Sequence, residues 1–216
     1  QQHDGIAAVD VERQQHPRVG TADHDEHADE GERDTGALPA TGFPVEISLS
    51  GEWLKDAAHG GHVASANGWD IIFKQDSAQL YHEVDFYDPV AGVLVAHVRV
   101  DSLSKADDTI LEIFYGDGGV GGPTEDPDNV WDSSYGAVWH LQEASGDFVD
   151  STAYGRDGTD NVSAAGKTGK IASGQEFDGT NDKITIGNEF AFEYTDPFTM
   201  SAWIKRDANG AGARYT

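Results

Sequence analysis

The chain has no cysteine, one methionine, and only 14 lysine and arginine residues against 39 aspartate and glutamate residues in a length of 216. Without cysteine there are no disulfides, no thiolate nucleophile and no cysteine-ligated metal, although the compartment stays open. The scarcity of basic residues leaves a formal charge of −25. That excludes nucleic acid as a partner, because phosphate-backbone binding needs a positive footprint. No apolar run approaches the roughly 18 residues of a membrane span, so no membrane insertion is expected within this chain. The residues after Gln1 are acidic rather than basic, so any export must be directed by sequence outside it. No phosphate-binding glycine loop is present either: the glycines from Gly116 to Gly122 precede Pro123 rather than opening a helix. No internal repeat of about 20–50 residues is visible.

What is present in abundance is carboxylate, which suits a highly soluble chain in salty or calcium-containing surroundings, where counter-ions screen or bridge like charges. Residues 1–36 hold ten of the acidic residues, with His3, His16, His24 and His27 and almost no aliphatic or aromatic side chains. Such a segment cannot bury enough apolar surface to offset chain entropy, so it is expected to be disordered. The pair His24 and His27 has the spacing of metal ligands, and a solvated polar tail accounts for it as well. His59 and His62 form a second such pair in a Gly-Gly loop.

From residue 43 the period becomes two. Phe43, Val45, Ile47 and Leu49 alternate with Pro44, Glu46, Ser48 and Ser50, the pattern of a strand with one buried face. A short helix or turn is expected over 50–58, and further strands over 69–74, 79–87, 93–100 and 109–115, each rich in β-branched and aromatic residues. Turn residues separate them, including Asp88-Pro89, Ala91-Gly92 and residues 116–119. A Gly/Pro/Asp linker follows over 118–129. Beyond it, strands are expected over 136–141, 173–178, 183–186 and 198–205. In the last of these Phe198, Met200, Ala202 and Ile204 share one face and Thr199, Ser201, Trp203 and Lys205 the other. The pattern predicts an all-β chain of two antiparallel, jelly-roll-like β-sandwich domains behind a disordered acidic segment.

Two resemblances sharpen this. Phe43-Pro-Val45, Trp69-Asp-Ile-Ile-Phe73, Tyr81-His-Glu-Val84, Tyr87-Asp-Pro-Val-Ala-Gly92, Val95-Ala-His-Val98 and Ile113-Phe-Tyr-Gly116 resemble a domain-of-unknown-function family of bacterial and archaeal surface proteins. The match covers about residues 37–119, and the domain is placed at 37–117. Members of that family sit upstream of lectin domains and also occur with ExbB/TolQ-type channel segments. The family usually opens on an aromatic and basic strand, which the acidic segment here does not supply, so the first strand is expected to be absent or displaced. Trp139-His-Leu-Gln-Glu143, Asp150-Ser-Thr, Gly169-Lys-Ile-Ala-Ser-Gly-Gln-Glu-Phe-Asp-Gly179 and Phe198-Thr-Met-Ser-Ala-Trp-Ile-Lys205 resemble the first half of a laminin-G-like, concanavalin-type lectin domain. That resemblance implies a truncated sandwich over 130–216, further domains beyond Thr216, and carbohydrate or a cell-surface glycan as partner.

Three sets of residues could carry chemistry. Glu83, Asp85 and Asp88 nearly match the Glu-x-Asp-x-x-Glu strand of laminarinase-type glycoside hydrolases, whose alternate carboxylates act as nucleophile, electrostatic helper and general acid. The surface-protein family accounts for the same residues without assigned chemistry. Asp178, Asn181 and Asp182 sit in a turn and could present oxygens to calcium, which takes about six to eight of them, with Asp150 and Asp157 in a neighbouring loop. A hairpin turn whose side chains bond their own backbone explains them equally. Exposed aromatics hold sugars by stacking, and Trp203, Trp131, Tyr135 and Tyr154 are the candidates, while Trp139 and Phe177 are expected to pack inside. The reading that follows is a non-catalytic carbohydrate-binding or adhesion module of a larger secreted or cell-surface protein. The alternatives are an accessory part of a polysaccharide-degrading enzyme, or a passive spacer in a giant surface or channel-associated protein.

Overall fold

Alternation of apolar and polar side chains builds the first half of the molecule, and the computed structural model, which describes residues 5–11, 40–103 and 108–205, shows where each face goes. In β6 (Val93–Leu103) Leu94, Ala96, Val98 and Val100 are fully buried. In β7 (Thr109–Tyr115) Leu111, Ile113 and Tyr115 point inward while Ile110 is exposed. One sheet runs β2 (Ala40–Ser50), β6, β5 (His82–Asp88). The other runs β1 (Gly5–Val11), β7, β3 (Ile72–Gln75), β4 (Ala78–Gln79). All pairings are antiparallel. The inner faces share one core of Ile47, Phe73, Leu94, Ala96, Val98, Leu111 and Ile113, closed at the ends by Leu54, Val63 and Leu80. Removing such faces from water is the main stabilising term.

Most expected strands form, with shifted ends. The stretch expected over 69–74 is strand only from Ile72, and the one over 79–87 splits into β4 and β5. The turn region over 50–58 holds two 3-10 turns, Glu52–Leu54 and Ala57–His59. Phe43 departs from its pattern: it is exposed, and Pro44 is buried instead. Disorder expected over 1–36 does not extend to Gly5–Val11, which pairs along the whole of β7 from Gly5 opposite Tyr115 to Val11 opposite Thr109. That strand comes from the acidic segment thought unable to supply one. Residues 12–39, with His16, His24 and His27, lie outside the described residues, as does His3.

The β5–β6 connection depends on one glycine. Asp88 Oδ1 accepts from the amides of Val90 and Ala91, both at 2.9 Å, and Gly92 closes the turn with φ 68°. A Cβ on Gly92 would lie 2.3 Å from the Gly51 carbonyl oxygen, and that carbonyl cannot retreat, because it accepts the Leu54 amide at 3.0 Å. Gly92→Ala should therefore cost at least the roughly 1–3 kcal/mol of a non-glycine left-handed residue. Urea unfolding checks this, and a change within about 0.5 kcal/mol would refute it.

The segment expected as a Gly/Pro/Asp linker over 118–129 is bound to β5 and to the residues just before β3. Thr124 Oγ1 donates to the carbonyls of Trp69 and Ile71 at 2.7 and 3.0 Å. Glu125 Oε2 accepts the Val84 amide at 2.9 Å, and the Asp126 amide donates to the His82 carbonyl at 2.9 Å. These bonds take up polar groups on the open edge of β5, which an edge strand would otherwise expose. The short helix α1 (Pro127–Val130) follows directly, with Val130 fully buried.

Beyond α1 the strands are brief. β8 (Thr159–Asn161) pairs with β11 (Lys183–Thr185), and β9 (Ala164–Thr168) with β10 (Ser173–Glu176). Residues 136–141 contribute only the bridge of Trp139 to Asp150. Residues 198–205 form no strand: Phe198, Met200 and Ile204 are exposed. Alternation specifies a strand only where a facing layer exists to bury its apolar side, and among the described residues no sheet covers this one. Phe177 is likewise half-exposed rather than internal, while Trp139 is half-buried with its indole N–H on the Arg156 carbonyl at 2.9 Å. Among the described residues no helix is long and apolar enough to cross a membrane.

Candidate functional site at the junction

In β5 the residue after Val84 is extra: Val84 pairs with Ala96, Phe86 pairs with Val95, and Asp85 bulges between them. A bulge re-aims side chains and increases local twist. His82 points into the core, so Glu83 faces outward, beside its cross-strand partner His97. This outer face is where the second part of the chain docks. Trp131, the residue after α1, places its indole N–H on Glu83 Oε2 at 2.7 Å. The Ser151 hydroxyl donates to Glu83 Oε1 at 2.6 Å. His140 brings Nε2 to 3.1 Å from Glu83 Oε2 and 3.5 Å from Asp85 Oδ1, and His97 Nδ1 stands 3.0 Å from Asp85 Oδ2. The imidazole of His97 also packs against Trp131 with ring centroids 4.9 Å apart.

The cluster is dry. Glu83 is 7% exposed and the Asp85 side chain not at all. Burial pushes the Glu83 carboxyl up, but the close approach and charge of His140, with the Ser151 and Trp131 donors, outweigh it and hold the group below its ordinary value. Burial pushes the His140 imidazole down, and the contact with Glu83 and the charges of Glu83, Asp85 and Glu143 outweigh that, so its pKa is raised. The two form a charged pair that neither partner would sustain alone. Ligand atoms of Glu83, Asp85 and His140 all lie within 4.8 Å of one another, so these residues could hold a metal ion.

A groove of 370 Å³ opens beside the cluster, lined by Arg99, Asn129, Trp131, Asp132 and Tyr154 among others. Arg99 on β6 reaches across the junction, donating from Nη1 to the Asn129 carbonyl at 2.9 Å. Tyr154 is half-exposed, with the Arg156 guanidinium 4.3 Å from its ring centroid. Trp131 is largely buried and carries Tyr135 edge-on, 5.0 Å between ring centroids.

Of the residues singled out by sequence, Glu83 and Asp85 are brought together, but Asp88 holds the 90–91 turn and stands apart from them. Trp131 and Tyr154 line the groove, and Tyr135 packs on Trp131. Trp203 is exposed elsewhere, its ring 5.4 Å from the Lys170 ammonium. Asp178, Asn181 and Asp182 lie between β10 and β11, which pair with β9 and β8 rather than with each other, and Asp178 Oδ1 accepts from the amides of Thr180 and Asn181 at 2.7 and 3.3 Å. Asp182 accepts from the Asp178 amide and the Ser163 hydroxyl. Asp150 and Asp157 are likewise occupied by hydrogen bonds within their own loop. His140 and His97 were not among the candidates. The one available signal was the outward phase of His97 opposite Glu83, while nothing in the sequence places the His140 loop over β5.

No family model, curated protein or solved structure matches the chain.

Proposed function

We propose that the chain is a non-catalytic carbohydrate-binding module of a larger secreted or cell-surface protein, and that the sugar binds in the groove between Arg99 and Tyr154. The observation that carries this is the meeting of a half-exposed aromatic ring with planar polar groups in one open groove. A pyranose presents an apolar C–H face and a rim of hydroxyls. A tyrosine ring stacks on the first, and guanidinium, amide and carboxylate groups hydrogen-bond the second. Trp131, buried beneath and locked to Glu83, keeps the floor rigid, which lowers the ordering cost of binding. The resemblance to lectin domains points the same way, and so does the negative charge, which repels polyanions and leaves neutral glycans as the favoured class.

The hydrolase alternative finds no footing at Glu83 and Asp85. A glycosidase needs both carboxylates open to the scissile bond and to water, whereas Trp131 and Ser151 cover Glu83 and the Asp85 side chain is fully enclosed. Screening the chain on a neutral-glycan array, followed by affinity measurement with the best ligand, tests the proposal. Tyr154→Ala should weaken binding about ten-fold, the scale of one stacking ring, and Trp203→Ala should leave it unchanged. Equal affinity of wild type and Tyr154→Ala, or no bound glycan, would overturn the assignment.

A further inference from the structure

We infer that Glu83, Asp85 and His140 form a binding site for one divalent transition-metal ion of the zinc class, at the junction between the first sheet and the docked second part. The inference is independent of the sugar reading, since none of Glu83, Asp85 and His140 lines the groove.

Geometry is the first ground. A tetrahedral ion with bonds of about 2.0–2.2 Å to imidazole nitrogen and carboxylate oxygen sets neighbouring ligand atoms about 3.3–3.5 Å apart. His140 Nε2 stands 3.1 Å from Glu83 Oε2 and 3.5 Å from Asp85 Oδ1, with all three ligand atoms within 4.8 Å. The second ground is unmet polar demand. The Asp85 side chain is wholly buried, yet neither of its oxygens has a hydrogen-bond partner, and His97 Nδ1 and His140 Nε2 have none either. These atoms approach one another at ion-pair distance without hydrogen-bond alignment. Buried carboxylate oxygens left so are costly and rare, and a cation centred between Glu83, Asp85 and His140 answers the carboxylates and His140 together.

The surroundings have the form of an outer shell. Ser151 holds the second oxygen of Glu83 at 2.6 Å, Trp131 fixes the first at 2.7 Å, and His97 stands 3.0 Å from the far oxygen of Asp85. Partners of this kind orient ligating carboxylates. Two carboxylates and a neutral imidazole balance a divalent charge. One imidazole with only two carboxylates suits zinc or a neighbouring first-row ion, not calcium, which collects about six to eight oxygens.

The test is calorimetric titration of the chelator-treated full chain with Zn²⁺ alone, with circular dichroism to confirm folding. Because the chain has nine histidines, the comparison must be between variants. Asp85→Asn and His140→Gln should each abolish one Zn²⁺ equivalent and the visible absorption of the Co²⁺-substituted protein, and leave any weaker histidine binding in place. Ser151→Ala, which only removes an outer-shell bond, should weaken that same equivalent about ten-fold. Should both ligand variants unfold, Ser151→Ala decides. Titrations of folded Asp85→Asn and His140→Gln that match wild type, or of Ser151→Ala if those two do not fold, would overturn the site, as would no Zn²⁺ binding by wild type.

Discussion

Glu83→Ala should lower the unfolding free energy of the chelator-treated protein by about 3–5 kcal/mol, the cost of breaking a buried ion pair from one side. The variant leaves the His140 imidazole enclosed beside Asp85 with its main counter-charge gone, and it strips the Trp131 indole and the Ser151 hydroxyl of their acceptor. Glu83→Gln keeps an oxygen and the volume and should cost less. The pair also sets a pH window. His140, whose pKa is raised from 6.5, contributes stability that is fully present below that value and is lost as pH climbs through its folded pKa. Glu83, whose pKa is lowered from 4.5, contributes stability present above 4.5 and lost as pH falls through its folded pKa. The junction is thus strongest between pH 4.5 and 6.5, with Asp85, His97 and Glu143 the other titratable groups around it. Urea denaturation of wild type and Glu83→Ala across pH 4–9 measures both effects. Parallel stability curves for the two proteins would refute the account.

How much of this was legible in the sequence follows from where each residue finds its burial. Strands β2, β6 and β7 could be read because each faces a complete layer, so the period-two pattern at Leu94, Ala96, Val98 and Val100 records the fold directly. The same pattern at Phe198, Met200 and Ile204 misled, because nothing covers it among the described residues, and alternation alone has no force without a partner layer. Gly5–Val11 was missed for the opposite reason: its surroundings are acidic, and the pairing with β7 is a long-range event that local composition does not encode. At the site, Glu83 and Asp85 stood out as alternate carboxylates, but the sequence offered a catalytic frame for them. Their covering by Trp131, His140 and Ser151 depends on residues 48 to 68 positions away from Glu83 and on a linker whose Gly/Pro composition concealed its bonds to β5. Of the aromatics, Trp131 and Tyr154 stood out because they lie in or beside loops. The groove between them exists only once Arg99 of β6 lies opposite.

Asp150→Ala should be nearly as damaging, at about 3–5 kcal/mol, the upper range for a single substitution. Asp150 is buried, and its carboxylate organises the whole loop that follows. Oδ1 accepts from the amides of Val138 and Thr152 at 2.9 and 3.0 Å, while Oδ2 accepts from the Thr152 hydroxyl at 2.8 Å and the Arg156 amide at 2.9 Å. Alanine leaves these donors without an acceptor in a site with little room for water, and each buried donor so stranded costs about 1–3 kcal/mol. Asp150→Asn retains one carbonyl oxygen but sets an amide N–H₂ against two donors, so its effect should be intermediate. The consequence reaches function because residues 150–156 carry both Ser151, which holds Glu83, and Tyr154, which walls the groove. Hydrogen exchange should show the amides of Val138, Thr152 and Arg156 losing protection together in Asp150→Ala, and glycan affinity should fall with them, while core amides of β6 and β7 keep theirs. If those three amides exchange independently of one another, or if affinity survives their loss of protection, the loop is not the element that shapes the site.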